Sequence, residues 1–232
     1  MPKNNCGGPK SPPRFHVGKR SFNYKEQPHP LKRSGTLLTR DNRKGRKSGR
    51  SPGYNLSMTI PFADYAARVQ ERLERDYGIP VITRDIPDPL TGDLDGAEID
   101  VDYAITPEQR LFLLGHLFGH TVQWNLNESA FDLGRQYKPP VDEALIPEVL
   151  AYEGEAARYG LTLFHQTGIT DVDQWFSNYT AADQAYLLHF YRTGEKRDFH
   201  TFWTGNAPLI EPRPIPTFTP QRRSFRMDGI VI

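Results

Sequence analysis

Two histidines four positions apart are the residues of this sequence best suited to chemistry. His116 and His120 lie within residues 109–124, which read QRLFLLGHLFGHTVQW and are almost entirely apolar. On an α-helix, residues i and i+4 lie on the same face, one turn apart. Two imidazoles with that spacing can bind one metal ion. The pair therefore predicts a metal site on a helix.

The residue that follows the first histidine argues against efficient hydrolysis at such a site. Zinc peptidase helices read H-E-x-x-H, and their glutamate is the general base of the reaction. Here the five residues read H-L-F-G-H, so Leu117 stands at the glutamate position and cannot accept a proton. Removing a general base typically lowers a rate by roughly 10²–10⁴-fold.

A metal-free interpretation of the histidine pair stays open. An unsatisfied buried polar group costs about 1–3 kcal/mol, so each imidazole needs a partner. A backbone carbonyl or an acidic side chain could satisfy His116 and His120 without any metal. Gly119, directly before the second histidine, predicts that another backbone packs closely against this helix.

The start of the helix that carries the pair has several agreeing signals. Thr106 is a suitable N-cap, Pro107 fits the first turn, and Gln109 completes a capping box. We expect the helix to run to about Trp124. Residues 111–114 are apolar on every side of the helix, which predicts a central, buried position.

The spacing of apolar residues predicts the elements before this helix. A helix is expected over residues 62–77, ended by Gly78. Residues 80–84 and 97–103 are predicted strands, and the second alternates apolar and polar residues. Residues 85–95 between them are rich in turn-forming residues.

A polar connection over residues 125–140 is expected to lead to a helix that begins near Pro147 and carries Glu148, Glu153 and Glu155. On a helix, residues two apart point about 200° from each other. Only one of Glu153 and Glu155 can therefore easily face the histidine pair.

Two capping boxes predict two further helices. Asp171 is expected to open a short helix with Trp175, and Thr180 a second helix that ends at Gly194. A Pro-rich, extended and mobile tail is predicted after Trp203. Packing is the expected role of the remaining histidines in this half of the chain, His165, His189 and His200.

The first 56 residues have a different composition from the rest of the chain. They hold 14 Lys and Arg but 2 Asp and Glu, whereas the remainder holds 15 and 26. They have no sustained apolar pattern, which predicts a disordered basic arm.

The densest charge block of this arm could neutralise nucleic-acid phosphates, and a solvated tail is the alternative. A start at Met58 is a third possibility. The candidate nucleic-acid-binding residues are Arg43, Lys44, Arg46, Lys47 and Arg50.

The cysteine content and the hydropathy of the chain exclude several classes of protein. Cys6 is the single cysteine, which excludes an intramolecular disulfide and a cysteine-based zinc site. No apolar run reaches the roughly 18 residues of a membrane span, and no signal-peptide pattern is present. We therefore expect a cytoplasmic protein without a membrane partner.

The order of strand, histidine helix and acid-bearing helix resembles the ImmA/IrrE-type metallopeptidases. Their pattern is a short strand, a helix reading R-F-x-x-A-H-E-x-G-H, and a helix reading E-x-E-A-x-x-F-A. In this chain the first helix reads RLFLLGHLFGH from Arg110, and the second reads EGEAARYG from Glu153. The resemblance covers roughly residues 58–165.

The resemblance implies a zinc ion held by His116, His120 and a downstream acid. We assign that acid to Glu153, with Glu155 as its substitute. Glu155 is also the first candidate for a replacement general base, since Leu117 cannot serve. Other candidate bases are Glu148, Glu143 and Asp142.

Together these patterns predict an α+β fold with a helical core and a small sheet of two or three strands. The predicted organisation is a disordered basic arm over residues 1–56, an ImmA/IrrE-like domain over 57–205, and a Pro-rich tail over 206–232. The expected function is zinc binding without efficient proteolysis, in regulation through a protein partner such as a transcriptional repressor. The alternatives are an active zinc endopeptidase with a substitute base, and a metal-free interaction module whose arm binds nucleic acid.

Overall fold

The histidine-bearing helix lies at the centre of an α+β fold, as predicted. A computed structural model of the protein describes residues 60–86, 91–136 and 140–223, with only the backbone of residues 135 and 136. The predicted basic arm, including all five candidate nucleic-acid-binding residues, lies outside these ranges. The elements in chain order are α1 (Phe62–Arg72), β1 (Val81–Arg84), β2 (Gly92–Leu94), β3 (Ile99–Asp102), α2 (Pro107–Leu126), α3 (Glu128–Gln136), α4 (Ile146–Gln166) and α5 (Asp173–Thr193).

Helix α2 begins as its sequence predicts. The Thr106 hydroxyl accepts a hydrogen bond from the Gln109 amide at 3.2 Å, and the Gln109 side chain accepts one from the Thr106 amide at 2.9 Å. This capping box satisfies two backbone donors at the helix start. Every residue from Leu111 to Trp124 is buried, which confirms the expected central position.

Glycines allow α2 and α4 to pack with their backbones in contact. A Cβ at Gly119 would overlap the carbonyl group of Ala156, and a Cβ at Gly160 would lie 2.6 Å from the Gly115 carbonyl oxygen. The close approach predicted from Gly119 is therefore confirmed. It brings Glu153, one turn before Ala156, alongside the histidines.

A three-stranded sheet covers one side of α2. Its strand order is β1-β3-β2, with β1 parallel and β2 antiparallel to β3. β2 lies in the segment that was expected to be rich in turns and was not predicted as a strand. Its three residues, Gly-Asp-Leu, are too short and too polar to give a strand pattern, and β2 depends on pairing with β3.

The helix predicted over residues 62–77 is present as α1 and a following π-helical turn, Leu73–Tyr77, which Gly78 caps. The second half of the chain differs from the prediction. Residues 125–140 were expected to form a polar connection, but they contain the helix α3. The two predicted short helices are one helix, α5, in which Thr180 is an interior residue. Buried apolar side chains lie both before and after Thr180, and their packing favours one continuous helix. Asp171 does not cap α5, since the N-cap is Val172 and no side chain accepts a capping hydrogen bond there. The Asp171 carboxylate instead accepts a hydrogen bond from the Tyr65 hydroxyl at 2.8 Å.

The Pro-rich segment is extended, but the expectation of a mobile tail is wrong as far as residue 223. The Arg213 amide donates to the Arg158 carbonyl at 3.2 Å, and the Arg223 amide donates to the Asp95 carbonyl at 2.7 Å. Ile215 and Phe218 also pack against the core. Proline reduces the chain entropy lost on docking, so few contacts suffice to hold the segment. None of the helices in the described ranges is long and apolar enough to cross a membrane.

Candidate metal centre

The two histidines of α2 and one acid of α4 converge on a single point. His120 Nε2 lies 3.1 Å from Glu153 Oε2 and 3.2 Å from His116 Nε2. The third side of the triangle, from His116 Nε2 to Glu153 Oε2, measures 3.7 Å. The three side chains are buried and form the one group of this kind among the described residues. They could hold a metal ion.

The triangle has the size that tetrahedral coordination requires. Zinc binds imidazole nitrogen and carboxylate oxygen at about 2.0–2.1 Å, so neighbouring ligand atoms of a tetrahedral site lie roughly 3.3 Å apart. The three observed separations bracket this value. Two imidazoles and one carboxylate are also a common donor set for zinc with an open fourth position. The residues present therefore fit the zinc ion that the family resemblance implies.

Gln123 determines which nitrogen of His120 carries a proton. The Gln123 amide group donates to the Tyr152 carbonyl at 2.9 Å and to Glu155 Oε2 at 2.8 Å, so its oxygen is the atom that faces His120. That oxygen lies 2.9 Å from His120 Nδ1, which must donate. In the neutral imidazole, Nε2 then keeps its lone pair and points it toward His116 and Glu153. Such an outer contact commonly orients a metal-binding histidine.

The lone pair of His120 faces two further electron-pair donors. A positive charge between the three atoms would offset the repulsion between their lone pairs, and either a metal ion or a proton can supply it. Burial and the neighbouring His120 lower the pKa of His116 to about 3, which keeps this imidazole neutral. Burial opposes the charge on Glu153, but the two imidazoles lower the pKa of its carboxyl below the usual value. A neutral imidazole and a carboxylate are the forms that bind metal.

Aromatic rings hold the two imidazoles in place. The Tyr152 ring stacks on His120 with ring centres 4.4 Å apart, and the Phe112 ring stacks on His116 at 5.4 Å. His116 is 9% exposed and His120 is 5% exposed. The rings therefore restrict both rotation of the imidazoles and access of solvent.

Glu155 lies behind His120 and does not join the triad. One of its oxygens accepts from Gln123, and the other pairs with Arg213 of the Pro-rich segment. Glu153 faces the histidines instead, as expected for two acids that lie two positions apart on a helix. The tail residue Arg213 is thereby connected to the metal site through Glu155, Gln123 and His120.

Leu117 fills the space between α2 and the edge strand β2. The side chain is completely buried, and a Cβ built on Gly92 would lie 2.9 Å from Leu117 Cδ1. The position that holds a glutamate in zinc peptidases is thus part of the apolar core. With Leu117 at this position the site has no base on α2. The leucine side chain also fills the space through which a substrate could approach α2 from the sheet.

The remaining candidate bases and histidines lie elsewhere in the structure. Glu143 pairs with Arg192 at 2.7 Å, and the Asp142 carboxylate accepts from the Ala144 amide at 2.9 Å. Glu148 lines a groove, described below. His165 pairs with Asp173 at 2.9 Å. Two of these histidines lie beside aromatic rings, His189 against Phe202 and His200 against Phe199.

A groove lies between α4, α5 and the Pro-rich segment. Its volume is about 700 Å³, and its lining includes Glu148, Tyr152 and Thr180. Glu155 and Arg213 pair at its wall. Tyr152 separates the groove from the imidazole of His120, since the two rings stack. The groove is therefore adjacent to the metal site without exposing it.

Two features of the site were missed from the sequence. Gln123 follows His120 by three positions, a spacing that places it on the same face of α2, so the contact could have been anticipated. Thr180 and Asp183 resemble the first and last residues of a capping box, and this local pattern concealed that both are buried. Only the tertiary packing of α5 reveals them.

Comparisons with known proteins do not identify the chain. No family model matches it, and no curated protein matches it. One similar solved structure is a Mycobacterium tuberculosis transcriptional regulator, with 19% sequence identity and a TM-score of 0.30. The alignment covers 60% of this chain and 39% of the regulator. A similarity this low establishes neither a fold nor a function.

Proposed function

We propose that this protein is a zinc-binding, ImmA/IrrE-like domain that has lost efficient proteolysis and acts in regulation by binding a protein partner. The observation that carries the proposal is the convergence of His116, His120 and Glu153, with Gln123 orienting His120. The donor set favours zinc over magnesium or calcium, which prefer oxygen ligands.

The side chains around the site do not support efficient peptide hydrolysis. Bound zinc acts as a Lewis acid and lowers the pKa of a bound water molecule to about 7. A peptidase also needs a base within hydrogen-bond reach of that water. Leu117 is apolar, and both oxygens of Glu155 are engaged by Gln123 and Arg213. The geometry therefore favours a binding role over the active-endopeptidase alternative.

Two surfaces near the site are available to a partner. β2 is an edge strand of the sheet, and edge strands can pair with an extended peptide. The groove beside Tyr152 is the second. Helix-turn-helix repressors are the partner class that the family resemblance implies. The arm that could contact nucleic acid lies outside the described residues, and nothing in the described part favours the metal-free module.

Metal analysis of the purified chain tests the proposal. The parent, purified without chelator, should contain about one zinc per chain. His120→Ala should lose most of it. His200→Ala is the matched control, since His200 is an exposed histidine far from the triad in sequence, and it should retain the zinc. A parent with far less than one zinc per chain after incubation with zinc would overturn the proposal.

A further inference from the structure

Helix α5 buries two polar atoms that have no partner among the described residues. These atoms are Thr180 Oγ1 and Asp183 Oδ1. Thr180 is 5% exposed and Asp183 is 2% exposed, so bulk water does not reach either side chain freely. Polar groups buried without a hydrogen bond cost free energy, and proteins keep few of them. A pair of them on one helix indicates a ligand that they contact.

Asp183 lies on the face of α5 that packs toward the metal site, and Thr180 lies between this face and the groove. Thr180 and Asp183 are three residues apart, and Tyr179 lies one turn before Asp183 on the same face. The Tyr179 ring stacks on Phe112 with centres 4.0 Å apart, and Phe112 stacks in turn on His116. α5 therefore reaches the histidine pair through two stacked rings.

Asp183 also lies within electrostatic range of the acid of the triad. Its burial, followed by the negative charge of Glu153, raises the pKa of Asp183 well above its usual value. The contact between α4 and α5 brings the two carboxyl groups toward each other. A protonated Asp183 has an O–H group that can donate a hydrogen bond to a ligand between the two carboxyl groups.

The metal site has one coordination position that α2 and α4 do not fill. Tetrahedral zinc takes four ligands, and His116, His120 and Glu153 supply three. The residues beside the triad on α2 are apolar or engaged elsewhere, as Leu117 packs against β2 and Gln123 binds His120. On the neighbouring helix α5, Thr180 and Asp183 each have a buried oxygen atom without a partner.

We propose that Thr180 and Asp183 hold a small oxygen ligand, a water molecule, at the fourth position of the metal by hydrogen bonds. The inference rests on the metal binding proposed above. The ligands of the triad are at most 9% exposed, so the enclosed position fits water and not a peptide. Asp183 thus supplies a carboxyl group to the metal site from α5, whereas zinc peptidases supply one from the motif helix.

Cobalt(II) gives a readout of this position that does not depend on activity, because its visible absorption reports coordination number and geometry. Asp183→Asn and Thr180→Val keep the size of each side chain and change its hydrogen bonding. Each should still bind about one cobalt per chain, with roughly 10–100-fold lower affinity and a changed absorption spectrum. Ser177→Ala is the matched control on the same helix, since the buried Ser177 hydroxyl already donates to the Asp173 carbonyl at 2.7 Å. It should match the parent in cobalt affinity and spectrum, although the hydroxyl also accepts a hydrogen bond from the Ile210 amide.

Stability without metal separates this role from a purely structural one. Neither substitution breaks a hydrogen bond of these two atoms in the metal-free protein, so the metal-free variants should be about as stable as the metal-free parent. Thermal unfolding with and without cobalt measures both quantities on the same samples. Unchanged cobalt spectra and affinities in both variants would overturn the inference, and so would a loss of metal-free stability with unchanged affinity. A parent that binds no cobalt would instead defeat the proposed function itself.

Discussion

The side-chain oxygen of Gln123 lies 2.9 Å from His120 Nδ1, while the amide group of Gln123 donates to α4. This contact fixes the proton of His120 on the nitrogen that faces away from Glu153. It gives a histidine in an apolar helix the orientation that a metal ligand requires. Substitution of Gln123 therefore tests whether a residue outside the three candidate ligands contributes to metal binding.

Gln123→Met should lower zinc affinity about 10–100-fold, as expected when the outer partner of a metal-binding histidine is lost. The helix should persist, since Met is a good helix former. Gln184→Met is a suitable control, because Gln184 is a half-buried glutamine of α5. Competition with a chromogenic chelator measures both affinities. Equal affinities in the two variants would show that Gln123 does not orient His120.

Leu117→Glu should not restore peptidase activity. The side chain is completely buried against β2, and a carboxylate there would have no partner. We expect a loss of about 3 kcal/mol or more in the free energy of unfolding, measured in urea. Leu117→Met keeps the volume and should lose less than about 1.5 kcal/mol. A stable Leu117→Glu variant that cleaves peptides would mean that the space beside β2 is open to a substrate.

Gly119→Ala should disrupt the contact between α2 and α4. The added Cβ would overlap the Ala156 carbonyl group, so the helices must separate. The expected loss is about 3 kcal/mol, near the upper end for overpacked cores. Gly154→Ala is the matched control on α4, where the nearest atom is the tip of Gln184 at 3.6 Å. There the greater helix propensity of alanine should stabilise the protein by up to about 1 kcal/mol. Similar melting temperatures for the two variants would contradict the packing described.

Asp100→Asn should stabilise the protein above pH 6. Burial raises the pKa of Asp100 to about 6, with Glu98 and Asp93 adding to the effect and Arg84 opposing it. The folded state therefore binds this proton more tightly than the unfolded state, and stability falls as the pH rises from about 4 through 6. The Arg84 guanidinium is 2.8 Å from the carboxylate, although not in hydrogen-bond geometry, and offsets part of the cost.

The expected gain from Asp100→Asn is about 1 kcal/mol at pH 8, after allowance for the partial exposure of the group. Below pH 4 the variant and the parent should have similar stability. Urea unfolding at both pH values measures the difference. A variant that is less stable than the parent at pH 8 would show that the Arg84 ion pair outweighs the cost of burial.

The parts of this fold that the sequence predicts are those with strong local signals. The capping box at Thr106, the apolar run of α2 and the spacing of His116 and His120 each depend on residues within one or two turns. Gly119 predicted a close helix contact, and helix geometry predicted that only one of Glu153 and Glu155 can face the histidines. These features need no knowledge of distant residues.

The parts that were missed depend on contacts between distant residues. β2 is a strand because β3 pairs with it, and α3 packs against the end of α2 although its residues are mostly polar. The Pro-rich segment is held by contacts with residues far away in the sequence, such as the ion pair of Arg213 with Glu155. Asp183 has the local pattern of a helix cap, yet the continuous apolar stripe of α5 places it inside the protein. No local rule distinguishes such a residue from a surface cap.

X-ray absorption at the zinc edge tests the central claim most directly, since it reports the ligands of the bound ion in the zinc-loaded chain. We predict four nitrogen or oxygen ligands at about 2.0–2.1 Å, with the multiple scattering of two imidazoles. His116→Ala and His120→Ala should each remove one imidazole contribution or the zinc itself. A spectrum of the parent without imidazole ligands, or with six oxygen ligands, would contradict the assignment of His116, His120 and Glu153 as the metal site.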